Sequence, residues 1–216
     1  CDITIEYCYS QAPGDVADHL LSMGQRVDVL GAVTINHPAV TTAVVDLKES
    51  GVETFALLTD YAQGERLGYI GLNNLKVGRG AASMLSVAAR QPGKIAIFVG
   101  GHRWHGHELR ETGFRAFFRE HTAFQGLDTL INLETRQLTR EATLGLLERH
   151  SDVVGIYVAG GGMEGAIAAV REVRAPGEVA LVVNEPTRDS QMAMVDGYVS
   201  LINETPLAQL SHELVG

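Results

Sequence analysis

Along most of the chain, short apolar runs rich in β-branched residues alternate with stretches whose apolar positions recur every three or four residues. The first pattern predicts strands covered on both faces, and the second predicts amphipathic helices. Strands are expected at residues 3–9, 27–34, 54–59, 68–72, 94–99, 129–133, 153–159, 179–184 and 199–202. Helices are expected at 15–23, 38–50, 76–89, 106–120, 140–150, 163–173 and 190–196. Thr139 is expected as an N-cap before Arg140-Glu141-Ala142, and Gly24 and Gly51 fall where helices should end. Such alternation demands an α/β fold with mostly parallel sheets between layers of helix.

Residues 88–93, Ala-Ala-Arg-Gln-Pro-Gly, break the pattern ahead of a fresh strand. The chain is therefore expected to divide near residue 92 into two βα lobes, 1–91 and 92–202. Ligands of parallel sheets bind outside the carboxyl ends of the strands, where the connecting loops gather. Those loops carry Asn36-His37, Asp60-Tyr61, Asn73-Asn74, the run Gly100 to His105, Gly160-Gly161-Gly162, Asn184-Glu185 and Asn203. Amides, carboxylates, Arg103 and Trp104 together suit a polyhydroxylated ligand, whose hydroxyls need donors and acceptors and whose ring face packs on an aromatic.

Composition narrows the range of functions. The 216 residues carry 24 glycines and a formal charge of −9, with no block of lysine and arginine. An acidic chain without a basic stripe is a poor nucleic-acid binder by itself. Neither a secretory leader pattern nor an apolar run of the roughly 18 residues a membrane span needs is present. Two cysteines, Cys1 and Cys8, without CxxC or zinc spacing, indicate reduced thiols and a cytoplasmic setting. The opening on Cys1 inside a strand-like run suggests a fragment of a longer protein.

Several motifs could carry chemistry. Gly160-Gly161-Gly162-Met163-Glu164-Gly165 satisfies G-x-G-x-x-G between an apolar run and a helix, with Glu185 placed as a ribose-binding acid would be. It stands so near the end of the chain that too little follows for a catalytic half, and a dinucleotide enzyme ranks below a binding protein. The cluster His102-Arg103-Trp104-His105-Gly106-His107-Glu108 matches no familiar zinc spacing and is expected to line a polar pocket without metal. No G-x-S-x-G elbow occurs, and Asp60 and Glu185 are as ordinary in binding sites as in acid/base pairs, so neither catalytic residues nor a cofactor are expected. Arg110, one turn into a helix, can fork two hydroxyls or a carboxylate. Arg115 and Arg119 continue a solvated face, while Met163, Met192 and Met194 read as core filler.

The run Gly71 to Ala82, Gly-Leu-Asn-Asn-Leu-Lys-Val-Gly-Arg-Gly-Ala-Ala, resembles the V-G-x-D-N-x-x-A-G-R-x-A-A segment of the lac repressor family of transcriptional regulators. Gly93-Lys94-Ile95-Ala96, Arg110-Glu111-Thr112-Gly113-Phe114, Ala159 to Ala166 and Met194 to Gly197 follow in the family's order. His105 to Arg110 and the Gly160 triplet resemble the subgroup with R-G-H-E-x-R-x-x-G-F and G-G-G-N-x-G. The resemblance implies two Rossmann-like lobes of the periplasmic-binding-protein type I fold, joined by three crossovers, with residues 203–216 returning to the first lobe. It further implies that the first βα unit is missing, together with a helix-turn-helix headpiece.

On that resemblance the chain is the effector-binding and dimerisation core of a sugar-responsive repressor. It would be a homodimer acting on operator DNA through the headpiece, with the effector closing the cleft. A periplasmic sugar-binding protein of an ABC transporter is the alternative. The expected effector residues are Asn36, Asp60, Asn73, Arg103, Trp104, Arg110, Gly160, Asn184, Glu185 and Asn203.

Overall fold

The computed structural model describes residues 2–101, 103–121 and 123–215; Cys1 and His102 lie outside them. Two compact units emerge. One comprises Cys1–Leu72, Arg103–Gly106 and Pro206–Gly216, and the other comprises Asn73–His102 and His107–Thr205.

In the first unit, α1 (Pro13–Gly24), β1 (Val29–Ala32), α2 (Pro38–Glu49), β2 (Glu53–Leu57) and β3 (Gly68–Ile70) succeed one another. The three strands form a parallel sheet in the order β1-β2-β3, with Ala32 opposite Ala56 and Ala56 opposite Tyr69. Pro38 begins α2, and the His37 side chain accepts from the Ala39 amide, satisfying one of the unpaired first-turn donors. Val40, Val44 and Leu47 of that helix pack with Leu20, Leu30, Ile35, Ala56 and Tyr61 into one core, which Trp104 flanks.

The second unit opens with α3 (Asn74–Ala88). It continues through β4 (Gly93–Val99), α4 (His105–Glu120), β5 (Phe124–Gly126), β6 (Leu130–Ile131), α5 (Arg136–Arg149), β7 (Val153–Val158) and α6 (Met163–Val173). It ends with β8 (Ala180–Asn184), α7 (Arg188–Val195) and β9 (Leu201–Asn203). Helix α8 (Leu207–Val215) belongs to the first unit. The sheet runs β5-β4-β7-β8-β9, all parallel, with β6 also on β4. Strands β7 and β8 are buried at every position, as a sheet covered on both faces requires. One face packs Phe98, Ile156, Val158 and Leu181 against α5 and α6 residues Leu146, Leu147, Ile167 and Val170. The other packs Ile95, Ile97, Tyr157 and Val182 against Ala81, Ala82, Leu85, Phe114 and Phe118 of α3 and α4.

The expected α/β architecture with parallel sheets is the one observed, and several local expectations are corrected. Residues 3–9 form no strand: Ile3, Ile5, Tyr7 and Tyr9 keep the period of two but lie in solvent. A strand exists only where a neighbour bonds it, and among the described residues none does. Thr139 is not an N-cap. The cap is Thr135, which accepts from Leu138, while Thr139 is buried inside α5 and donates to the Thr135 carbonyl. Gly51 lies just past α2 with φ 87°, as a helix end favours, whereas Gly24 is the last residue of α1 and Gln25 is its cap. Met163 is core, but Met192 and Met194 are exposed. Strand β5 and helix α8 were not anticipated. Helix α3, ahead of the expected boundary at residue 92, packs on the second sheet, and the two units divide at Leu72/Asn73.

The close crossing of α5 and α6 gives a stability test. A Cβ on Gly165 would collide with the Arg136 carbonyl and meet the Arg140 amide nitrogen at 2.8 Å, both rigid backbone. Gly80, within α3, has nothing within 4 Å of the same point. Gly165→Ala should therefore lower the free energy of urea unfolding by about 1–3 kcal/mol. Gly80→Ala should raise it by roughly 0.5–1 kcal/mol.

Candidate functional site

The carboxyl end of the second sheet collects polar side chains from α3, α4, the β6–α5 loop, β7, β8 and β9. Two glycines make this possible. A Cβ on Gly78 of α3 would collide with the Arg110 carbonyl, and one on Gly113 of α4 would collide with the Leu75 carbonyl. The two helices therefore touch backbone to backbone, which sets Arg110 beside Asn74. Arg110 Nε donates to Asn74 Oδ1 at 2.7 Å, and its Nη1 donates to the Ala159 carbonyl at 2.7 Å, at the end of β7. One turn along α4, Phe114 stacks on Tyr157 with centroids 5.4 Å apart.

A chain of amides continues from there. Asn184, buried at the end of β8, donates through Nδ2 to the Val158 carbonyl at 3.0 Å. Its Oδ1 accepts from Asn203 Nδ2 at 3.2 Å and from the Tyr157 hydroxyl at 3.4 Å. Arg110 and Asn184 thus hold adjacent carbonyls of one strand end. Burial pushes the Tyr157 phenol up and keeps it a neutral donor. Glu185 accepts from the Thr205 hydroxyl at 2.5 Å and has φ 66°, a left-handed conformation that is sterically costly for a residue with a Cβ.

His107 and Glu134 form a second cluster at this end. The Gly100 amide donates to His107 Nδ1 at 3.2 Å, which assigns the ring proton to Nε2, 3.6 Å from Glu134 Oε1. Burial lowers the His107 basicity; Glu134 opposes that shift and Arg110 adds to it. The same Glu134 oxygen accepts from the Gly161 amide at 3.1 Å. Leu133 and Glu134 both adopt left-handed φ, 48° and 57°, to bring that carboxylate round. Asn132 braces the loop by donating to Thr139 Oγ1 and the Gly161 carbonyl, both at 2.9 Å.

This arrangement explains the glycine motif without a nucleotide. The amide a phosphate would use is taken by Glu134, and Gly162 and Gly165 stand where a Cβ would strike Thr139 and Arg136 of α5. The motif is helix packing with an internal anion at the helix start. Among the described residues no three histidine, cysteine or acidic side chains converge as metal ligands.

The remaining expected residues lie elsewhere. Asn73 caps α3 by accepting from Lys76 and is exposed. In the first unit Asp60 is buried, held by Arg66 at 2.5 and 2.9 Å and by Gln63 at 2.8 Å. Burial raises the Asp60 pKa, but the hydrogen bonds from Arg66 and Gln63 outweigh it, so the carboxyl titrates below its ordinary range. Exposed Asn36 donates its backbone N–H to the Arg103 carbonyl at 3.1 Å, Arg103 reaches the Gln11 carbonyl at 3.3 Å, and Trp104 is half-buried. Asp60 and Glu185 are thus each engaged within their own unit. Arg115 is not a solvated charge: it ties Glu111 of its own helix to Thr129 and the Leu127 carbonyl.

Gly160, Arg110, Asn184, Glu185 and Asn203 are brought together at one sheet end, with His107, Glu134, Asn74, Asn132 and Tyr157 added to them. The sequence signal for Glu134, Asn132 and Tyr157 was weak, because each is a polar residue in an apolar or turn context whose partner is far along the chain.

Comparison with known proteins places the fold. The sequence matches the family described as periplasmic binding protein domain over residues 15–210. The chain belongs to that family. Its α/β fold, with eight helices among the described residues and parallel sheets, is the two-lobed type I fold of periplasmic binding proteins. Comparison with curated protein sequences gives no match.

Among solved structures, this periplasmic binding protein domain is similar to XylFII in its complex with LytSN, at a TM-score of 0.86 and 18% identity over 95% of this chain and 76% of the other. GanP, a glucose-galactose binding protein from Geobacillus stearothermophilus, gives 0.84 and 16% over 92% and 72%. An ABC transporter solute binding protein from Burkholderia graminis in complex with D-arabinose gives 0.81 and 19% over 87% and 67%. At such identities the likeness is one of fold. No helix among the described residues is long and apolar enough to cross a membrane.

The His107 cluster gives a pH prediction. Its folded-state pKa lies below the ordinary 6.5, so the unfolded chain takes up a proton first as pH falls. Stability from this site is therefore complete above about pH 6.5 and declines in the window beneath. Unfolding in urea at pH 7 and pH 5.5 should show a smaller loss for His107→Gln than for the natural chain; an equal loss contradicts the assignment.

Proposed function

We propose that the chain binds a sugar at the carboxyl end of its second sheet, as the ligand-binding domain of a transport-associated solute-binding protein. One observation carries the reading. The guanidinium of Arg110 is fixed by Asn74 and Ala159 through Nε and Nη1, leaving Nη2 outside both bonds, and amides from β8 and β9 stand in the same network. Donors and acceptors on rigid strand and helix ends are what the hydroxyls of a sugar require. Backbone strain at Leu133, Glu134 and Glu185 clusters at the same end, as it does at sites held ready for a ligand.

The similar structures support a sugar in particular, since their descriptions name glucose-galactose and D-arabinose. They favour a solute-binding protein over the repressor core implied by the lac repressor resemblance. Operator DNA and a homodimer find no support among them, and the cytoplasmic setting belongs with that repressor reading. Asn36, Asp60, Arg103 and Trp104 belong to the first unit.

A melting screen against free monosaccharides tests this. A ligand at 100 times its Kd stabilises by about 2.7 kcal/mol, or roughly 5–10 °C for a chain of this size. At least one sugar should give such a rise, and Asn203→Ala should reduce it while leaving the ligand-free melting temperature within about 3 °C. No rise with any monosaccharide at millimolar concentration contradicts the reading.

A further inference from the structure

Four arginines in this chain are half-buried: Arg66, Arg110, Arg115 and Arg174. Three have their charge answered within the fold. Arg66 pairs with Asp60 and Arg115 with Glu111, at 2.5 and 2.8 Å. Arg174 donates to the Leu147 and Val173 carbonyls in the last turns of α5 and α6, where the helix dipole supplies negative potential. Arg110 differs. Its two bonds go to an amide oxygen and to a strand-end carbonyl, both neutral, and no carboxylate among the described residues forms an ion pair with it. The groups next along this network, Asn184, Asn203 and the Tyr157 hydroxyl, are neutral, while His107, which faces Glu134, is near enough to feel the Arg110 charge.

Two of the carboxylates at this sheet end, Glu134 and Glu185, have other partners. Glu134 holds the Gly161 amide and faces His107 Nε2, and Glu185 holds Thr205. A partly buried guanidinium without a counter-charge carries an uncompensated desolvation cost, which an anion supplied from outside offsets. The two bonds take two of the five N–H groups of Arg110, leaving the Nη1/Nη2 edge for a planar acceptor. A carboxylate matches that fork in shape and in charge.

We propose that the ligand is a sugar acid, a monosaccharide bearing a carboxylate, and that Arg110 receives the carboxylate while Asn184 and Asn203 face its hydroxyls. This rests on the sugar-binding reading above and adds the ligand's charge to it. Asn74 acts as the positioning residue: it orients Arg110 through Nε and, being an amide, leaves the charge unmatched.

The test is titration calorimetry of the full chain with matched pairs, glucuronate against glucose and galacturonate against galactose, with gluconate as an open-chain acid. An acid should bind at least tenfold more tightly than its neutral partner, and the preference should shrink on raising salt from 50 to 500 mM. Arg110→Gln should abolish the preference. Asn74→Asp keeps an acceptor for Nε but pairs the charge, and should narrow the acid-to-neutral ratio below about threefold while Tm stays within a few degrees. If neutral sugars bind as tightly as their acids, the sugar-acid assignment is overturned and the sugar-binding reading stands. If Asn74→Asp folds and keeps the full preference, Arg110 is not the carboxylate receptor. Absence of heat with every sugar, neutral or acidic, overturns both.

Discussion

The backbone contact of α3 with α4 sets the position of everything at the carboxyl end of the second sheet. Gly78 and Gly113 let the two helices approach until each carbonyl occupies the other's missing side chain. That approach places Asn74 within reach of Arg110, and Phe114 of the same helix against Tyr157 inside the core. Arg110 then spans to the end of β7, and Tyr157 reaches Asn184, which braces the carbonyl next to it. Helix packing, core aromatic and strand-end amides are one connected structure whose groups cannot relax independently.

Both units show how the chain treats charge. Where an acid serves the fold it is fully engaged: Asp60 by Arg66, Glu111 by Arg115, Glu134 by the start of α6. Glu134 achieves this only through two consecutive left-handed residues, a cost accepted so that α6 begins on an anion belonging to the chain. The triple glycine that looks like a nucleotide motif is thereby spent on packing α5 against α6. Arg110 stands outside this internal pairing.

Much of the fold was legible in the sequence because period and composition agree. The short, β-branched apolar runs expected as strands at 153–159 and 179–184 are central strands, and the 3.6 periodicity of 163–173 is helix. What was not legible depends on partners distant in sequence. Residues 3–9 have a strand's alternation, but alternation does not supply a neighbour to bond. Thr135 and Thr139 are equally good caps by type, and only the bond to Leu138 decides between them. At the site, Arg110, Asn184 and Asn203 announced themselves as polar residues at strand or helix ends. His107 and Glu134 meet from 27 residues apart, and Tyr157 lies within an apolar strand whose alternation hides it.

The measurement that bears most directly on the central claim is a ligand titration read at the side chains themselves, by NMR of the Arg Nε–H and Asn Nδ–H2 groups. With a binding sugar present, the Arg110, Asn184 and Asn203 resonances should shift together and saturate with one Kd, while Arg115, locked to Glu111 and Thr129, stays in place. Saturable binding that leaves Arg110 and both asparagines unmoved would contradict the account.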